Sequence, residues 1–217
     1  MTGLFKEKTR HIKEIVLWTT LFLVMVVAPL CLALVGHTKV YHGFWIEFGV
    51  ALGFIAIALM GLQFVLTARF KNIAVSFGTD ALLQFHRQAG YVAYGFVLGH
   101  VLVLIAANSG YLSFFDPRIN APRAMALSLV IVLITLLVIL TISRRQFQIA
   151  YEWWRLSHGI FAFLILMIGL AHILMVAFYV SALWKQLLWI GMTGTAMFML
   201  VHVRLVNPYK MSKNRTK

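Results

Sequence analysis

The sequence predicts an all-α membrane protein, a six-transmembrane-helix bundle, and three observations carry that reading. The 217-residue chain is 62% hydrophobic and only 12% charged, with a mean hydropathy of +0.90. A soluble domain of this length cannot hide so much apolar surface. The apolar residues fall into six runs of about twenty, the length a helix needs to cross the hydrocarbon core. Finally, 19 Lys+Arg stand against 6 Asp+Glu, a net charge of +13, and the basic residues gather in connections and tails, as orientation in a bilayer requires. That distribution argues against nucleic acid as a partner and for membrane lipid.

The first fourteen residues form a basic arm (Lys6, Lys8, Arg10, Lys13). The run that follows, Ile15–Val35, is too long for a signal-peptide core and lacks a small-residue cleavage site, so it is expected to remain as a helix. It holds the sole cysteine, Cys31, which is read as a small buried apolar side chain. One cysteine can form neither an internal disulfide nor a C-x-x-C-H haem attachment. The second run, Trp45–Thr67, carries Gly49, Gly53 and Gly61 as helix-packing positions. Glu47, within it, is read as a proton donor, a hydrogen-bond partner or an interfacial acid. Leu83–Ala107 and Ala124–Ile142 follow, joined by a turn-rich connection, Asn108–Arg123, with Asp116-Pro117 and Ala121-Pro122. Trp153–Tyr179 and Trp184–Val206 complete the membrane domain, 15–206, and a basic tail, 207–217, closes the chain. Helices satisfy every backbone group at these lengths, which excludes a barrel.

The N-terminal arm, the second and fourth connections and the tail hold 15 of the 19 Lys/Arg. The opposite side holds Lys39, Arg118, Arg123 and Lys185. Both termini are therefore expected to be cytoplasmic, in the inner membrane if the cell is bacterial.

Four histidines stand as two matched pairs, His86 with His100 and His158 with His172, each fourteen positions apart. Imidazoles inside a bilayer are costly and mark function. Fourteen helical residues span roughly 21 Å and fall about 40° short of four turns, so each pair shares a face at two depths. The third and fifth helices run parallel, which sets His86 level with His158 near the inner surface and His100 level with His172 near the outer one. Two facing imidazoles per level are the ligands of a six-coordinate b-type haem, and two stacked haems make a path for single electrons. Gly90, Gly95 and Gly99 on the third helix and Gly159 and Gly169 on the fifth leave room for a flat macrocycle or a close helix. Arg87 and Arg155, beside the inner ligands, suit bidentate pairing with haem propionates, and Gln84 adds a hydrogen bond there. His37, Tyr41 and His42 cluster by the first outer loop as acceptor-site, propionate or solvated loop residues. His202 is read as a bundle or interface contact.

The words Phe85-His86-Arg87-Gln88-Ala89-Gly90, Gly99-His100 and Tyr151-Glu152-Trp153-Trp154-Arg155-Leu156-Ser157-His158 resemble the ferric reductase-like transmembrane domain, the family of NADPH oxidases and ferric reductases. The likeness covers the third to sixth spans. It implies an oxidoreductase of iron–haem type, with His86/His158 on the inner haem and His100/His172 on the outer, taking electrons from a cytoplasmic NAD(P)H and FAD donor. That donor would be a flavin dehydrogenase domain beyond the tail or a separate flavoprotein. The acceptor would be extracytoplasmic, such as dioxygen or ferric iron. The alternative is a stand-alone cytochrome b-type subunit relaying electrons between quinone or a flavoprotein and a partner enzyme. Respiratory cytochrome b shares the histidine interval but has eight helices and a Pro-Glu-Trp-Tyr word that is missing here. A six-helix transporter with proton-carrying histidines is the non-redox alternative.

Overall fold

The computed structural model describes residues 2–36, 41–67 and 76–202, with the backbone alone at 2–11, Val65 and Thr67. His37, Lys39 and the tail 207–217 lie outside the described residues. Within them run six long α-helices: α1 Thr2–Leu34, α2 Phe44–Thr67, α3 Thr79–Ala107, α4 Pro117–Ser143, α5 Tyr151–Val176 and α6 Leu183–Val201. No strand occurs among the described residues. α1 to α5 each contain a segment long and apolar enough to cross a membrane, beginning in α1 at Ile12. The chain is a multi-pass helical membrane protein. α6 is a helix at the expected place but falls outside that group, because its first turn carries Lys185 and Gln186 among nineteen residues.

The boundaries shift from expectation for local reasons. α1 begins at Thr2, so the basic arm is already helical, and Pro29 sits within it without ending it. The connection read as Asn108–Arg123 is mostly ordered structure. Asn108 caps a 3-10 helix, Ser109–Phe115, by accepting from Gly110 N–H at 2.8 Å. Asp116 then caps α4, accepting from Arg118 N–H at 2.8 Å, with Pro117 at the first helical position, where its missing N–H costs nothing. Asn120 breaks the helical dihedrals (φ −155°, ψ 92°) just before Pro122. α5 stops at Val176 because Ala177 turns left-handed (φ 50°) and returns its N–H to Ile173.

α2 is the interior helix. A third of its spanning window is buried, against 11–17% in the other four spans, and it packs on α1, α3, α5 and α6. Phe54, Ile57 and Phe64 of α2 meet Leu166 and Leu170 of α5 and Trp189 and Ala196 of α6 in the main core cluster. α3 and α5 do not pack on each other; among the described residues no Cα of one comes within 8 Å of the other. α2 and α4 each touch both and hold them apart. Two polar contacts mark the bundle ends. Ser76 Oγ donates to Glu14 Oε2 at 3.1 Å at one. At the other, Lys185 Nζ donates to the carbonyls of Ala33 (2.7 Å) and Tyr179 (3.1 Å).

Candidate functional site

The gap between α3 and α5 is bridged by the four histidines, paired by level. The rings of His86 and His158 lie 6.1 Å apart between centroids at an interplanar angle of 56°. Those of His100 and His172 lie 6.4 Å apart at 73°. Two imidazoles bound to one metal through bonds of about 2 Å bring their centroids to roughly 6 Å. Each level thus holds two imidazole rings at about the separation they would have on one shared metal. Among the described residues no group of three or more His, Cys, Asp or Glu could hold a metal by protein ligands alone. Two imidazoles per level would suit an ion that brings its remaining ligands with it, as in a porphyrin.

α2 orients the ring at the far level through its backbone. His100 Nδ1 lies 2.8 Å from the Gly49 carbonyl oxygen. A carbonyl only accepts, so Nδ1 carries the hydrogen and Nε2 keeps its lone pair. Gly53 completes the fit, since a Cβ there would stand 2.8 Å from His100 Nδ1 and 3.0 Å from its Cε1. Composition marked Gly53 as helix packing; the structure corrects that to ring clearance. Gly99 and Gly169 admit Leu52 and Ile57 of α2 at 3.2 and 3.1 Å from their would-be Cβ positions. Gly90 and Gly95 face open space.

A cavity of about 400 Å³ opens at the His100–His172 level, its wall including Gly53, Val97, Ile165, Gly169 and, from the 3-10 helix, Tyr111 and Phe114. Tyr179 and His42 also line it. The Tyr179 hydroxyl donates to Glu47 Oε2, while Glu47 Oε1 accepts from His42 N–H at 3.3 Å and lies 3.6 Å from its Nδ1. Glu47 is therefore a hydrogen-bond hub at this end, one of the roles expected of it. Burial, then the hydrogen bond and charge of Glu47, raise the Tyr179 hydroxyl above its ordinary pKa.

Other expected residues have local partners. Arg87 donates to Gln84 Oε1 at 2.6 Å on the exposed side of α3. Arg155 lies 5.7 Å over the Tyr151 ring, and Trp154 touches the His158 ring at 5.4 Å. His202 stacks on Phe198 of its own helix, and Tyr41 is exposed. Cys31 is exposed on α1, not buried as expected; little of that helix faces the bundle. Two residues escaped the sequence reading. Gln63 approaches His86 from α2. Arg123 lies 4.2 Å over Phe114 of the cavity wall and donates to Ser113 O at 3.1 Å. Its Nε is buried with no hydrogen-bond partner among the described residues.

The fold and its paired histidines define a class, a multi-pass helical membrane domain associated with oxidoreductases. The model of the ferric reductase like transmembrane component family matches residues 52–170, more than half of the chain, and the chain belongs to that family. The matched stretch includes Gly53, Gln63, His86, His100 and His158 and stops two residues before His172. No curated protein and no solved structure matches this chain.

Proposed function

We propose that this chain carries single electrons across the membrane through two b-type haems, one at each histidine level. His86 and His158 would hold one and His100 and His172 the other. Haem held by these histidines would supply one-electron redox chemistry. The protein's residues do the rest: they hold, orient and shield. α2 and α4 keep the backbones of α3 and α5 apart, and the paired imidazoles reach into the space between them. Arg87 and Arg155 would meet propionates at the His86–His158 level, and the buried Arg123 Nε would suit a carboxylate at the other.

With α6 as the sixth span and both termini cytoplasmic, the His86–His158 level faces the cytoplasm. A flavin dehydrogenase domain or flavoprotein using NAD(P)H and FAD would donate there. The His100–His172 level, with its cavity, faces an extracytoplasmic acceptor such as dioxygen or ferric iron. One observation supports this above all: two imidazole pairs, each at one-metal spacing, on helices whose backbones stay more than 8 Å apart among the described residues. Reduced-minus-oxidised spectra and haem analysis of the purified protein test it. Sharp b-type bands at about two haems per chain are expected, and colourless protein would overturn the reading.

A further inference from the structure

The two ligands of α3 are served from α2 by different chemistry. Gly49 and Gln63 are separated by the same fourteen positions as His100 and His86, and α2 runs antiparallel to α3. The backbone carbonyl of Gly49 therefore meets His100 and the side-chain amide of Gln63 meets His86. With its nitrogen toward the ring, that amide donates to His86 Nδ1 at 2.5 Å and to the His86 carbonyl at 3.3 Å, while its oxygen accepts from Gly90 N–H at 3.0 Å.

We infer that Gln63 is the positioning residue of the His86–His158 level, an amide that turns over when His86 takes up a metal. While Nδ1 accepts from the amide, the neutral ring must carry its hydrogen on Nε2. A ring that ligates through Nε2 must carry it on Nδ1 instead. A half-turn of the amide then brings its oxygen to the place of its nitrogen, where it accepts from Nδ1–H. Gly90 N–H keeps the His86 carbonyl of its own helix, while the turned oxygen stands 3.3 Å from that carbonyl, a repulsion that only the new bond from Nδ1–H offsets. A glutamine amide carries a donor and an acceptor without charge, so it serves either tautomer from one position. A backbone carbonyl such as Gly49 serves only one.

Partners of this kind raise the basicity of a ligating imidazole and tune the metal. The level served by Gln63 is thus adjustable by side-chain chemistry, whereas the level served by Gly49 is fixed by the fold. This inference rests on haem occupying the His86–His158 level. The test is redox titration with electron paramagnetic resonance on the full-length protein, comparing wild type with Gln63→Met and Gln63→Glu. Gln63→Met keeps the volume and removes the bond; it should raise the midpoint potential of one haem, shift that haem's low-spin ferric signal and weaken its retention about 10–100-fold, leaving the other untouched. Gln63→Glu, a stronger acceptor, should move the same potential downward. A merely structural role would not give opposite signs. Unchanged potentials and signals in Gln63→Met, or equal shifts at both haems, would overturn the inference while two haems in wild type leave the proposed function standing. A wild-type protein without haem would overturn both. Gln63→Met decides the matter alone should the buried charge of the glutamate prevent insertion.

Discussion

The two histidine levels use the same pair of helices and nearly the same ring separation, 6.1 and 6.4 Å, yet they are built differently around that shared frame. The His100–His172 level is enclosed. A backbone carbonyl fixes one ring, a missing Cβ makes space for it, the 3-10 helix walls the cavity, and Lys185 and Tyr179 brace the end above. The His86–His158 level is flanked by exposed residues, Arg87 and Arg155 among them, and its ring contacts are to side chains, Gln63 and Trp154. One level takes its ring contacts from backbone and a missing Cβ; the other takes them from side chains. Under the proposed function that asymmetry would suit a large donor that must dock at one level and a small acceptor that must only reach the other.

The largest effect should come from the ligands themselves. His100→Ala or His172→Ala should lower haem content from two to one per chain and leave the His86–His158 haem reducible. His86→Ala or His158→Ala should abolish reduction from the cytoplasmic side, even where the other haem persists. Haem analysis with difference spectra reads both. Retention of two haems in any of the four would break the pairing by level.

Next in size is Gly53→Ala. Its new methyl group would overlap the His100 ring, and that ring is held at Nδ1, so relief requires losing the bond to Gly49. Affinity at that level should fall about 10–100-fold, with an overpacking cost of about 1–3 kcal/mol. Gly61→Ala, on the same helix with nothing within 4 Å of its would-be Cβ, is the control and should bind two haems normally.

That pair of glycines shows what the sequence could and could not say. The all-helical build, five of the expected spans and the parallel run of α3 and α5 followed from hydropathy and charge, because lipid leaves the backbone few options. The level-by-level meeting of the histidines followed from the helical repeat alone. Gly53 and Gly61 look alike in a sequence, however, and only the rotation of α2 about its axis decides which faces a ring. Gln63 was hidden for the same reason, although its interval from Gly49, mirrored by that of the histidines, was a usable signal. Arg123 was counted as a charge of the outer side; its approach to Phe114 depends on the break at Asn120. The 3-10 helix was missed because Asn, Gly, Asp and Pro mark turns and caps alike.

Lys185→Met should act on stability more than on pigment. Lys185 is buried, and its ammonium gives the Ala33 and Tyr179 carbonyls their side-chain donor. Removing it leaves two buried acceptors short, a loss of about 3 kcal/mol. Thermal unfolding in detergent should show this as an earlier transition, with the absorbance of the His86–His158 haem persisting longer than that of the other. Simultaneous loss of both would mean that the enclosed end is not separately braced.

The smallest effect expected is that of Tyr179→Phe, and it carries a sign that can be checked. Deleting the hydroxyl removes one bond to Glu47, worth about 1.5 kcal/mol to a charged acceptor. The wild-type hydroxyl is held protonated above its ordinary value of 10.0 by burial first and by Glu47 second. A group shifted upward on folding gives stability that is complete below the unfolded pKa and drains away as pH rises through the folded one. Wild-type protein should therefore lose stability as pH climbs beyond 10, and Tyr179→Phe should lose less over the same interval, narrowing the gap between the two. Equal slopes would detach Tyr179 from the bracing of the cavity mouth and leave the enclosure of that level to Lys185 and the 3-10 helix.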